Sequence, residues 1–223
     1  MKKILLIALI LLSGPGFVFA QCGWKLSTEK DGIKVYTGHV PDSKIKAIKV
    51  ECKVEASAAQ LVALLMDVNN STDWISRTKS CRLIRQVSPS DIYYYSEVNL
   101  PWPAENRDFV AHLTVSQNPD TKVVTIDGPA VRGMAPEKRG IVRITNSVGK
   151  WTITPCGYQL VKVEYTLHTD PGGNIPAWMV NMFATDGPLQ VFENLKQQVK
   201  KPAYKNAVVP YIQDSPDGLF SKL

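Results

Sequence analysis

The sequence predicts an α+β domain: one curved antiparallel sheet wrapped around a long C-terminal helix, with an internal cavity between them. Three observations carry this. From Lys79 onward, stretches rich in Val, Ile, Tyr and Thr follow one another with short breaks, a pattern that suits an antiparallel meander. Ahead of them stand a strand pair and a helix pair. The last long segment, 175–199, repeats apolar residues at helical spacing. One sheet and one long helix offer no second sheet to pack on. A twisted sheet that curls around the helix buries both, and the wrap leaves room for a cavity.

Taken in order, the chain opens on an address. Lys2 and Lys3 precede an unbroken apolar run from Ile4 to Leu12, and Gly14, Pro15 and Gly16 break it. Val18-Phe19-Ala20 puts modest side chains where signal peptidase cuts, so 1–20 reads as a signal peptide of bacterial type. The run is shorter than the roughly 20 residues a membrane span needs. Gln21 before Cys22 speaks against lipidation, which wants a small residue there. The protein is therefore expected in an extracytoplasmic space, periplasmic or secreted.

Strands are expected at 33–36 and 44–54. From Lys49 to Val54 polar and apolar residues alternate, so one face is buried and the other wet. Ser57 with Gln60 three residues later is a capping box, and Leu61, Leu64, Leu65 and Val68 repeat at helical spacing, giving a helix over 58–67. A short helix or turn carries Asp73-Trp74-Ile75. Strands follow at 79–87, 91–99, 107–117, 121–127, 140–147, 150–154 and 158–168, divided by Pro and Gly clusters. After the turn at 170–174, Ile175, Trp178, Met179, Met182 and Phe183, then Leu189, Phe192, Leu195 and Val199, mark a long helix with a kink expected near Gly187-Pro188. Residues 206–223, with Pro, Asp, Ser and Gly, read as a tail. The domain proper is 21–205, a size that suits one core.

Composition excludes several classes. Lys and Arg number 26 against 20 Asp and Glu in 223 residues, a net charge of +6. The charges are interspersed rather than clustered, so nucleic acid is not expected as a partner. Four cysteines allow two bridges in three connectivities. No C-x-x-C, H-E-x-x-H, G-x-S-x-G or phosphate loop is present, so no metal, cofactor or nucleophile is expected.

The string Leu100-Pro101-Trp102-Pro103-Ala104-Glu105-Asn106-Arg107-Asp108-Phe109-Val110 resembles the START domains, lipid-transfer modules related to the steroidogenic acute regulatory protein. Asp31-Gly32-Ile33-Lys34-Val35-Tyr36, Trp74, Pro136-Glu137-Lys138-Arg139-Gly140 and Gly173-Asn174-Ile175-Pro176-Ala177-Trp178 match further family landmarks in order, from about Trp24 to about Lys200. Taken with the leader, the resemblance points to a bacterial exported member of the family, and it implies the helix-grip fold. It implies an incomplete barrel gripping the C-terminal helix around a tunnel for one lipid or other apolar ligand, serving transfer or storage. The implied lid loop is about 130–139, with Val131 and Met134 facing ligand or membrane. The implied inner helix face is Trp178, Met179, Met182 and Phe183. Some sterol-binding relatives carry a charged residue inside the tunnel where this chain has Leu113, so the tunnel is expected to be more apolar than theirs. Cys52 and Cys81 flank the helix pair on strands resembling the two ends of the open barrel and are the candidate disulfide, the alternative being two free, buried thiols.

The remaining candidates have plainer readings. Arg107 and Asp108 are adjacent on a strand and point to opposite faces, each expected to pair locally. Pro101-Trp102-Pro103 is expected to be a rigid turn with a buried ring, membrane insertion being the other reading. Lys196, Lys200, Lys201 and Lys205 suit the negative end of a helix dipole. The protein is expected to be a monomer that meets a membrane surface transiently and performs no covalent chemistry. The alternative is a helix-grip enzyme, cyclase- or hydrolase-like, acting on an apolar substrate. It would need His112, His168 or a carboxylate lining the pocket.

Overall fold

Alternating side chains and short connections produce a ten-stranded sheet in the computed structural model, which describes residues 23–214 apart from 42, 44 and 174, and apart from the side chains at 177–180, 182 and 183. The expected leader, 1–20, and the last residues, 215–223, lie outside the described residues. The strands are β1 (Trp24–Lys30), β2 (Ile33–Gly38), β3 (Ala47–Val54), β4 (Thr78–Ser88), β5 (Asp91–Val98), β6 (Asn106–Gln117), β7 (Val124–Pro129), β8 (Ile141–Arg143), β9 (Asn146–Gly157) and β10 (Leu160–Asp170). Their order is β1-β2-β3-β10-β9-β7-β6-β5-β4, all antiparallel, with β8 off this path and parallel to β6. The two end strands do not pair, so the barrel is incomplete.

Helix α1 (Ala58–Met66) starts as its capping box dictates. Ser57 Oγ accepts from the Gln60 amide, and Gln60 Oε1 accepts from the Ser57 amide at 2.7 Å. A 3₁₀ turn, Val68–Asp73, follows. Helix α2 (Ala177–Gln198) is continuous through Pro188, whose missing N–H removes one bond from the ladder. Its C-terminal half buries Phe192 and Leu195, and its cap residue Val199, in a core shared with Ile33, Val35, Val50, Val54, Ile153 and Val163 of the sheet and Leu61 and Leu64 of α1. Short α3 (Pro202–Lys205) then turns the chain back, and Gln60 Nε2 donates to the Lys205 carbonyl.

Several expectations change. Strand β1 was not foreseen, because most of its side chains are exposed and it carries no apolar alternation. Segments 140–147 and 150–154 are instead the short β8 and one long β9, and Pro155-Cys156-Gly157 lies inside β9 rather than in a turn, which falls at 158–159. The expected Cys52–Cys81 bridge is absent: both are free thiols. Cys52 is on β3 and Cys81 on β4, and five strands of the sheet path separate them. Residues 206–214 are packed rather than a loose tail. Val209 and Ile212 are buried, Gln117 and Gln213 exchange two 2.8 Å hydrogen bonds, and Asp214 Oδ1 accepts the Ala59 amide at 3.0 Å.

Candidate functional site

The period of two that builds β5 and β6 also builds a cavity. Tyr94 and Val98 of β5 alternate with Tyr95 and Glu97; Arg107, Phe109 and Ala111 of β6 alternate with Asp108 and Val110. The first set lines a cavity of about 290 Å³ inside the sheet, close to the lower end of the range for small-molecule sites, about 300–1,000 Å³. Gly128 of β7, Gly149 of β9, Tyr165, Leu167 and Thr169 of β10, and Leu100, Ile144 and Pro171 complete the wall. Gly128 leaves room for its neighbour: a Cβ there would stand 2.8 Å from Leu113 Cδ2, so the leucine side chain would have to shift. Beneath Tyr165, Trp151 and Phe192 form an aromatic cluster with centroid separations of 4.3 Å (Trp151–Tyr165) and 5.4 Å (Trp151–Phe192), which divides the cavity from the core formed with α2.

The lining holds few polar groups. The Tyr94 and Tyr165 hydroxyls have no hydrogen-bond partner among the described residues. Burial raises both, Tyr165 to about 12. Arg107 donates through Nε to Pro171 O (3.2 Å), through Nη1 to Glu105 O (2.6 Å) and through Nη2 to Gly172 O (2.9 Å). These bonds fix the loop before β6, and they also hold the connection into α2, which local pairing did not anticipate. Gly172 and Gly173 enter that connection at φ of +63° and +64°, a conformation that favours glycine.

The opposite face of β5 and β6 is covered as well. Arg143 donates to Asp108 Oδ1 at 2.6 Å and Oδ2 at 3.1 Å, and also to the Ala135 and Pro136 carbonyls. Tyr95 donates to Asp108 at 3.0 Å. Lys79 and Lys138 pair with Glu97 at 2.7 and 3.1 Å. The hydrogen bond from Lys79, with Lys138 beside it, holds the Glu97 carboxyl down at about 2. This network pins the 130–140 segment to the outside of the sheet. Val131 and Met134 are half-buried within it and neither lines the cavity; the Val131 amide donates to Val110 O at 2.8 Å. Leu113 points inward as alternation requires, but it sits in the core against Gly128 rather than on the cavity wall. Trp178, Met179, Met182 and Phe183 lie on the N-terminal half of α2, and their side chains are outside the described residues.

Of the histidines, His112 lies on the outer face, 2.7 Å from Asp91 and stacked on Tyr93 at 4.1 Å. His168 alternates away from Leu167 and Thr169 and does not line the cavity; its Nε2 is buried without a partner. Among the described residues no His, Asp, Glu or Cys lines the cavity, and no cluster of metal-ligating side chains occurs. Trp102 is not buried as expected but 92% exposed, on the connection that also supplies Leu100 to the cavity lining. The cavity-facing role of Tyr94, Phe109, Ala111 and Tyr165 was not foreseen. Alternation places Phe109 and Ala111 on the face of Leu113, but only the pairing of Tyr94 with Ala111 across β5 and β6 and the curl of the sheet bring Tyr165 opposite them.

An open antiparallel barrel gripping one long helix beside an apolar cavity defines the helix-grip class. The chain belongs to the START domain family, whose model matches residues 19–205. It is 35% identical over 184 residues to an uncharacterized protein of Pseudomonas aeruginosa, covering 80% of this chain and 87% of that one. It is 29% identical to the mouse phosphatidylcholine transfer protein, covering 79% and 82%. Among solved structures, a STAR-related lipid transfer protein from Xanthomonas axonopodis superposes with a TM-score of 0.74 at 31% identity, covering 80% of this chain and 99% of that one.

Proposed function

We propose that this protein binds a lipid or other apolar ligand in the cavity and carries or stores it in an extracytoplasmic space, without covalent chemistry. The observation that carries the reading is the cavity between β5, β6, β7, β9 and β10, walled mostly by apolar side chains. Each methylene moved there from water contributes about 0.8 kcal/mol, so a chain is held with few polar contacts. Family membership and the names of the relatives support a lipid as the ligand. The lack of a described acid, histidine or thiol on the wall supports carriage over catalysis.

Loading needs a membrane surface. Trp102, 92% exposed and two residues from the cavity-lining Leu100, suits the interface between headgroups and chains, and it supports transient docking by a monomer through this connection. The lysine-led leader supports export with cleavage after Ala20. The test is to purify the protein from its native host, extract it with organic solvent and identify the lipid by mass spectrometry, with the intact mass reporting leader removal. An extract free of apolar ligand, together with failure to take up lipid from vesicles, refutes the carrier.

A further inference from the structure

We propose that Arg107 receives an anionic head group, a carboxylate or a phosphate ester, at one end of the apolar ligand. The proposal rests on the carrier reading above and adds the chemistry of the ligand's polar end.

Arg107 is 3% accessible and lines the cavity. It is the one charged side chain among the described lining residues. The protein treats its two buried arginines differently. Arg143 has the bidentate Asp108 carboxylate. For Arg107, no carboxylate among the described residues stands within ion-pair distance. Glu105 is near enough to act on it electrostatically, but its side chain makes no contact with the guanidinium. What Arg107 has instead is three backbone carbonyls, at Glu105, Pro171 and Gly172. A guanidinium presents five N–H groups. Three are taken, so one on each terminal nitrogen remains for another acceptor.

A full charge out of water without a counter-ion is costly, and carbonyl dipoles offset only part of the cost. An anionic oxygen in the cavity supplies the missing charge. Charge-assisted hydrogen bonds of this kind are about twice as strong as neutral ones. A ligand with no anionic oxygen leaves the guanidinium as it stands. No described acid faces the cavity to repel an anion. Three contributions therefore favour an anionic amphiphile: the unneutralised charge, the two unused N–H groups and the acid-free apolar wall.

The test uses the fluorescent fatty acid cis-parinaric acid and its methyl ester as direct probes, with oleic acid, oleyl phosphate and oleyl alcohol as competitors. The wild-type protein is expected to bind the acid about tenfold or more tightly than the ester, since charged hydrogen bonds are worth at least about one factor of ten. Oleic acid or oleyl phosphate should outcompete oleyl alcohol to the same degree, and whichever of the two does so identifies the head group. In Arg107→Gln the acid-to-ester ratio should fall to about one while ester binding persists; Arg107→Lys should keep a preference for the acid. Equal binding of acid and ester by the wild type overturns the proposal and leaves the carrier reading intact, even where Arg107→Gln fails to fold. An undiminished ratio in a folded Arg107→Gln also overturns it. Binding of none of the five compounds removes the carrier reading and the proposal with it.

Discussion

Asp108→Asn is the sharpest test of how the outside of the cavity wall is held. Asp108 is 1% accessible and accepts two hydrogen bonds from Arg143 and one from Tyr95. The amide keeps the volume but removes the charge, leaving Arg143 nearly buried with only the Ala135 and Pro136 carbonyls. Breaking one side of a buried ion pair costs about 3–5 kcal/mol. The retained carbonyl bonds place the expected loss near the lower figure, about 3 kcal/mol. That is a large part of the roughly 5–15 kcal/mol by which a domain is stable. With a urea slope of about 2 kcal/mol/M, the midpoint should fall by about 1.5 M. Equilibrium urea unfolding followed by tryptophan fluorescence measures it. Removing both partners, in Asp108→Leu with Arg143→Met, should recover much of the loss, since no charge is then left unpaired. A midpoint for Asp108→Asn within about 0.25 M of wild type, or a double variant worse than the sum of the singles, would refute the assignment of this pair as the anchor of the 130–143 segment.

Other consequences follow from the same geometry. Ala111→Phe puts a ring into the cavity from a residue already 3% accessible on its wall; lipid recovered by extraction should fall several-fold, while the circular dichroism spectrum stays that of wild type. Trp102→Ala should leave the free energy of unfolding within about 0.5 kcal/mol of wild type, as exposed positions do, yet weaken sedimentation with vesicles. The Glu97 carboxyl is lowered to about 2 by Lys79 and Lys138, so its contribution to stability is fully present above its ordinary value of 4.5 and is lost as pH falls from there toward 2. Glu97→Gln should therefore lower the melting temperature at pH 7 and converge on wild type near pH 2; an equal difference at both pH values would contradict the pairing.

Local pattern was enough for the elements whose signal is local. The capping box at Ser57 and Gln60 set the start of α1, and the alternation from Lys49 to Val54 set which face of β3 is buried. The apolar spacing from Ile175 to Val199 foretold α2. The ordered landmarks from Trp24 to Lys200 carried the family and the grip of sheet on helix. What stayed hidden depended on partners far away in sequence. β1 carries little apolar signal because its hydrogen bonds to β2, not burial, hold it in place. Residues 206–214 look like a tail by composition and become part of the domain through Gln117 and Ala59, about 96 and 155 residues away. β6 is the clearest case. Alternation correctly sent Arg107 and Asp108 to opposite faces, but a period of two says only that the faces differ. Because the cavity occupies one side and the 130–140 segment the other, both residues are buried. Which of them faces the cavity and which meets a basic partner is a matter of long-range pairing, and only the curl of the sheet around α2 decided it.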